Sequence, residues 1–217
     1  MDFIDLSAQQ EKIRPKIQSR VKKVLEHGKY IMGPEVHELE TELSRYVGMN
    51  HCITCSSGTD ALLMPLMMLD IKPGDAVLTT PFTYIATAEV IALLGATPIF
   101  VDIYPSTFNI DPDKIDDAIN YAKYNNLKPR AIIPVDLFGL PARYRIIKEK
   151  AKKYNLIIIE DAAQGFGGRI NNNKACSFGE IASTSFFPAK PLGCYGDGGA
   201  IFTNNEEFVP ILKSIRV

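Results

Sequence analysis

The sequence predicts an α/β domain, a doubly wound and mostly parallel sheet with helices on both faces. Three observations carry that expectation. From His51 onward, short apolar runs alternate with helix-length segments, the order of strand–helix–strand units. The runs, such as residues 131–135 and 156–159, are continuous rather than alternating, as in parallel strands buried on both faces. The residues with chemical character follow strands directly, and open α/β sheets bind their ligands at that edge.

Taken in order, apolar side chains at Ile13, Ile17, Val21 and Val24-Leu25 predict an amphipathic helix over residues 8–26, with Gly28 as its C-cap. Residues 28–34 form a loop that is either a wall of a site or a connector. Pro34 opens a second helix reaching Tyr46. Strands are then expected at 52–55, 76–79, 97–101, 131–135, 156–159 and 181–186. Between them, helices are expected at 58–69, 84–94, 111–125 and 143–154. Internal repeats, low-complexity segments and long linkers are not evident.

A chain of 217 residues can bury one substantial core. Its 46% hydrophobic and 23% charged content is that of an ordinary globular protein. A net charge of −1 gives no bulk attraction to nucleic acid or anionic membrane. No apolar run approaches the roughly 20 residues that span a bilayer. Met1-Asp-Phe-Ile-Asp5 lacks a signal-peptide pattern, so a cytoplasmic location is the default. Cys52-Ile-Thr-Cys55 has the spacing of half a zinc site or a redox pair. A second Cys/His pair at the usual spacing is missing, and in a strand positions 52 and 55 point to opposite faces, so a structural role is expected. His27, His37 and His51 show no ligand spacing, and no metal is expected.

Four places after strands carry chemistry. Ser56-Ser-Gly-Thr-Asp60 stands at a helix start, where free N–H groups and hydroxyls suit an anion; its plainer reading is a Ser/Thr N-cap. The spacing is neither that of a Walker A loop nor that of GxGxxG, so a triphosphate or dinucleotide is not indicated. Tyr84, in Pro81-Phe-Thr-Tyr-Ile-Ala-Thr87, either offers an aromatic face to a flat ligand or joins the core. Asp161 closes an aliphatic strand, so its carboxylate needs a cationic or protonated partner unless it is a helix N-cap; Gln164 follows three residues on as a donor. Lys190 is the one lysine between Ser183 and Ala200, among small, aromatic and turn-forming residues. An amine in such surroundings is a nucleophile, and Phe186-Phe-Pro with the following glycines argues against a plain surface lysine.

An amine, a carboxylate, an aromatic face and an anion cradle on one sheet edge are what pyridoxal 5′-phosphate (PLP) requires. The aldehyde takes the lysine, the ring nitrogen an acid, the ring a stacking surface and the phosphate a helix N-terminus. In the stretches GKYIMGPEV, SSGTDAL, TTPFTYIATAE, NIDP, IIEDAAQGFG and SFFPAKPLGCYGDGGAIFTN, the sequence resembles the DegT-type nucleotide-sugar aminotransferases, which are fold-type-I PLP enzymes. The stretches keep the family's order and span essentially the whole chain.

The resemblance implies that Lys190 binds the cofactor covalently and shuttles the proton between cofactor carbon and sugar carbon. It implies that Asp161 pairs with the pyridinium nitrogen, that Gln164 lies near the 3-hydroxyl and that Tyr84 stacks on the ring. Gly58, Thr59, Asp60 (through its backbone) and Ser185 would hold the phosphate. The implied reaction moves an amino group from glutamate to a keto-sugar on UDP or dTDP, for surface polysaccharides such as O-antigen or for antibiotics. The aspartate of GDGGA and the Pro-Leu-Gly after Lys190 resemble members acting at C3, so a UDP-linked 3-keto-N-acetyl sugar, uronic acids included, is the expected acceptor. A homodimer is implied as well. The expected division is residues 1–34 as N-terminal helix and loop and 35–217 as the large PLP-binding domain, with the family's C-terminal small domain absent. Dehydratase relatives hold histidine at the lysine position, which Lys190 argues against. The remaining alternative is a truncated, non-catalytic PLP-binding chain with a regulatory or dimerisation role.

Overall fold

Caps and prolines set the helix boundaries. α1 (Leu6–His27) begins at Asp5, whose carboxylate accepts the Ala8 N–H at 2.9 Å, and ends where Gly28 donates to Val24 O. α2 (Pro34–Val47) opens on its proline, where a missing N–H costs nothing. The structure, a computed structural model, describes residues 4–216. Met1–Phe3, part of the stretch read for a signal peptide, and Val217 lie outside the described residues.

The strands are β1 (His51–Cys55), β2 (Asp75–Thr79), β3 (Thr97–Phe100), β4 (Lys128–Ile133), β5 (Ile157–Asp161), β6 (Arg169–Ile170), β7 (Asn173–Lys174), β8 (Ile181–Ser185) and β9 (Gly199–Thr203). The remaining helices are α3 (Gly58–Met68), α4 (Ala86–Leu93), α5 (Ile115–Tyr124), α6 (Tyr144–Tyr154) and α7 (Phe208–Arg216). Seven strands form one sheet in the order β1-β9-β8-β5-β4-β2-β3, and β6 and β7 form a separate hairpin. Within the large sheet only β9 runs antiparallel, wedged between β1 and β8.

Side-chain alternation explains the continuous apolar runs. Leu78, Ile132 and Ile158 face α5 and α6, while Val77, Ala131, Ile133 and Ile159 face α3 and α4. At the other end, Ala182 and Phe202 pack toward α2, and Ile181 and Ile201 toward α3 and α7. Both faces are covered, so β2, β8 and β9 are buried at every position, while exposed residues stay at the outer ends, such as Phe100 of β3 and Lys128 of β4. In β1, Cys52 joins the α2-side cluster and Cys55 packs on the α7 side, the opposite-face arrangement expected of that spacing. Burial pushes both thiols up, Cys55 to about 12. The three histidines each pair with a glutamate: His27 with Glu35, His37 with Glu40 and His51 with Glu206.

Several boundaries differ from expectation for local reasons. β4 stops at Ile133 because Pro134 has no N–H to donate to a ladder, and only a bridge from Val135 to Asp161 continues the pairing. The helix expected from Tyr84 starts at Ala86, which leaves Tyr84 in the preceding turn. The helix expected over 111–125 begins as a 3-10 turn at Pro112–Lys114. β9 and α7 lie beyond the last strand expected from the sequence, and the β6–β7 hairpin, which precedes that strand, is not among the expected elements either. Among the described residues, no helix is long and apolar enough to cross a membrane.

Candidate active site

The carboxyl ends of β1, β2, β4, β5 and β8 open into one cavity of about 430 Å³. Gly58 and Thr59 after β1, Tyr84 after β2, Asp161 and Gln164 from β5 and its loop, and Ser185 and Lys190 from β8 and its loop all line it. Seven of the eight residues singled out in the sequence therefore converge. The exception is Asp60.

Asp60 is occupied in building the start of α3. Its N–H donates to Ser57 Oγ at 3.0 Å, and its carboxylate accepts from the hydroxyls of Ser56 and Ser57. Its backbone N–H is therefore not open to a ligand. The N–H groups of Gly58 and Thr59 carry no partner among the described residues, and first-turn donors like these give a helix N-terminus its affinity for anions. The α3 N-terminus sits tightly against the sheet edge. A Cβ on Gly58 would lie 2.5 Å from Ser185 Cβ, and one on Gly199 would lie 2.3 Å from Ser57 O. Only backbone fits at those two points, so the glycine in SSGT and the last glycine of GDGGA shape the cradle.

Asp161 is buried on the α3–α4 side of the sheet. Thr87 Oγ1 donates to its Oδ2 at 2.8 Å, and the Ala163 N–H to its Oδ1 at 3.1 Å. Burial pushes the carboxyl above its ordinary range, while the Thr87 hydroxyl, the Ala163 N–H and the charge of Lys190 pull it back. Thr87 lines the same cavity and is a candidate site residue that the sequence reading does not single out. It is 1% exposed on α4, and its oxygen also lies 2.9 Å from the Thr83 hydroxyl. The signal was two threonines four residues apart entering an aliphatic helix.

Gln164 accepts the Phe138 N–H on Oε1 at 2.9 Å, which leaves its amide NH2 to donate. Tyr84 is 69% exposed and thus not a core aromatic; its ring stands in the turn before α4. Lys190 is half-buried, its N–H donating to Phe187 O at 2.8 Å, and its ammonium forms no ion pair among the described residues. Phe187 and Asp197 also line the cavity.

A covalent-capable amine, a buried carboxylate and a helix N-terminus with free first-turn N–H groups on the carboxyl edge of a parallel sheet make up the donor set that an aldehyde cofactor bearing a phosphate requires. The donor set fits PLP group by group: N–H donors for the phosphate, a carboxylate for a cationic ring nitrogen and an amine for the aldehyde. The chain belongs to the DegT/DnrJ/EryC1/StrS aminotransferase family, whose model matches residues 11–217. Its fold is that of the PLP aminotransferases of this family.

A Pseudomonas aeruginosa relative named UDP-2-acetamido-2-deoxy-3-oxo-D-glucuronate aminotransferase is 50% identical over 215 residues, 99% of this chain and 58% of the relative. A solved structure of a DegT/DnrJ/EryC1/StrS aminotransferase from Brucella abortus matches with a TM-score of 0.97 and 51% identity, over 99% of this chain and 58% of that one. The Bacillus subtilis protein NtdA, solved with bound cofactor PMP, matches with a TM-score of 0.88 and 35% identity, over 98% of this chain and 47% of that one. The chain thus spans about half the length of the relatives it matches.

Proposed function

We propose that this chain is the cofactor-binding part of a PLP-dependent aminotransferase that transfers an amino group from glutamate to a nucleotide-linked keto-sugar. The observation that carries the proposal is the meeting of Lys190 and the buried Asp161 in one cavity at the sheet edge. When bound, PLP supplies an electrophilic aldehyde carbon and a ring that accepts electrons. Lys190 Nζ anchors the cofactor and, once released, holds the proton that moves between carbons. Asp161 keeps the ring nitrogen protonated, and Thr87 and Ala163 hold Asp161 in place. Gly58 and Thr59 N–H groups and the Ser185 hydroxyl take the phosphate, Gln164 donates toward the 3-hydroxyl, and Tyr84 covers one ring face.

The name of the Pseudomonas relative supports a UDP-linked 3-keto uronic acid as acceptor. Asp197, on the cavity wall, is the aspartate of the GDGGA motif read as the mark of C3-acting members. Surface-polysaccharide synthesis, a cytoplasmic location and a homodimer are part of the same proposal. Reconstitution tests it: the purified chain mixed with PLP gains an absorbance band near about 420 nm, and Lys190→Ala abolishes the band. Addition of glutamate then bleaches it. A chain that takes up no PLP overturns the proposal.

A further inference from the structure

Three carboxyl groups meet behind the cavity, and only Asp161 faces it. Glu160, its neighbour in β5, points to the opposite, α6 side of the sheet, where Asp136 follows β4. Asp136 and Glu160 are both 0% exposed. The Asp136 N–H donates to Asp161 O at 2.9 Å, so the loop carrying Asp136 is stitched to the end of β5. Gly165, in the loop that carries Gln164, packs so close that a Cβ there would lie 2.9 Å from Asp136 Oδ2.

The donors around these groups are unevenly shared. Glu160 accepts three backbone N–H bonds, from Cys176 at 2.5 Å, Phe178 at 2.6 Å and Gly179 at 3.1 Å. Asp161 has one donor on each oxygen. Asp136 receives Tyr144 OH at 2.7 Å and the Ala142 N–H at 3.0 Å, both on Oδ1. Its Oδ2 is buried with no donor among the described residues. A bare carboxylate oxygen in such a place is costly, whereas a hydroxyl there can bond the Glu160 carboxylate, which lies within side-chain hydrogen-bonding reach of Asp136.

We propose that Asp136 keeps its proton on Oδ2 in the folded protein and donates it to the Glu160 carboxylate, leaving the negative charge of the cluster on Glu160 and Asp161. Asp136 is then a positioning residue. It ties the Glu160 side of β5 to the loop after β4, and by staying neutral it keeps a third charge away from Asp161. Among the described residues, the titratable groups facing it are Tyr144 from α6, Cys176 from the segment before β8 and Glu160 from β5, none of them a cation. In agreement, burial first and the Glu160 charge second push Asp136 well above the ordinary carboxyl range. Burial pushes Glu160 up as well, against the pull of its three N–H donors.

The test needs no cofactor and is independent of the PLP reading. The full chain is labelled with 13C at its aspartate and glutamate carboxyls and titrated by NMR. One aspartate resonance is expected to stay at the protonated position at pH 7, to vanish in Asp136→Asn and to survive in Asp161→Asn. A wild-type spectrum with every carboxyl ionised at pH 7 overturns the proposal, even if Asp136→Asn fails to fold. A protonated resonance that persists in Asp136→Asn overturns it too. Unfolding measured against pH is the second readout. A raised folded pKa contributes stability that is complete below the unfolded aspartate value of about 4 and is lost as pH rises through the folded value. Asp136→Asn, which copies the neutral donor, is expected to show a shallower decline between acid and alkaline pH than wild type. An identical slope counts against the assignment.

Discussion

Thr87 shows how a single hydroxyl tunes this site. It is the one side-chain donor to Asp161 among the described residues, in a setting where burial alone favours the neutral acid. Replacing it with valine keeps the shape and removes the donor. Thr87→Val is expected to raise the Asp161 pKa further, so that PLP binding is lost at a higher pH on the acid side. Affinity at neutral pH should fall by about tenfold, the worth of one hydrogen bond to a charged group. Spectrophotometric PLP titration across pH reads both effects. Gly58 makes the complementary case, because it acts by having no side chain. Gly58→Ala places a methyl 2.5 Å from Ser185 Cβ. It should cost about 1–3 kcal/mol in denaturant unfolding, through overpacking, and weaken the binding of PLP more than that of phosphate-free pyridoxal.

At the scale of elements, the outer strand β1 is held by more than its ladder to β9. Glu40 of α2 accepts the Thr54 N–H at 2.9 Å and the Thr54 hydroxyl at 3.0 Å. The same oxygen accepts Arg216 of α7 at 2.7 Å, so one carboxylate joins α2, β1 and α7. Both partners of the ion pair are largely buried, and Arg216 Nε has no acceptor among the described residues. Glu40→Ala leaves a buried cation unpaired and is expected to cost about 3 kcal/mol in a urea melt. Because β1 leads directly into the α3 N-terminus, the same variant should loosen phosphate binding.

On the scale of the molecule, the core lies on both faces of one sheet, yet much apolar surface stays uncovered. α1 buries none of its residues and leaves Val21 and Leu25 exposed, and Ile31 just beyond it is 90% exposed. A long amphipathic helix with no buried position is short of a partner. The proposed homodimer supplies one. Sedimentation should therefore find a dimer, and the double variant Leu25→Glu with Ile31→Glu should sediment as a monomer with its secondary structure intact. A monomeric wild type would remove support from that part of the proposal.

Hydrophobic runs, caps and turn residues act locally, and they determined the six parallel strands and most of the helices. Motif residues after strands determined the cavity in outline, because strand ends of such a sheet converge on one edge wherever the chain crosses over. The resemblance in EDAAQ and SFFPAKPLG pointed to the same residues. Tertiary structure alone decided the rest. β9 was hidden because its run opens with the glycines that read as a loop, and its place between β1 and β8 depends on pairing partners far away in the chain. Asp60, expected to lend its backbone to the cradle, has its N–H held by Ser57, and Thr87, to which the sequence reading assigns no role, meets Asp161 only through the fold. The proton assigned to Asp136 is the clearest case. Nothing local distinguishes Asp136 from Glu160 or Asp161, since protonation follows from how the fold shares out its buried donors.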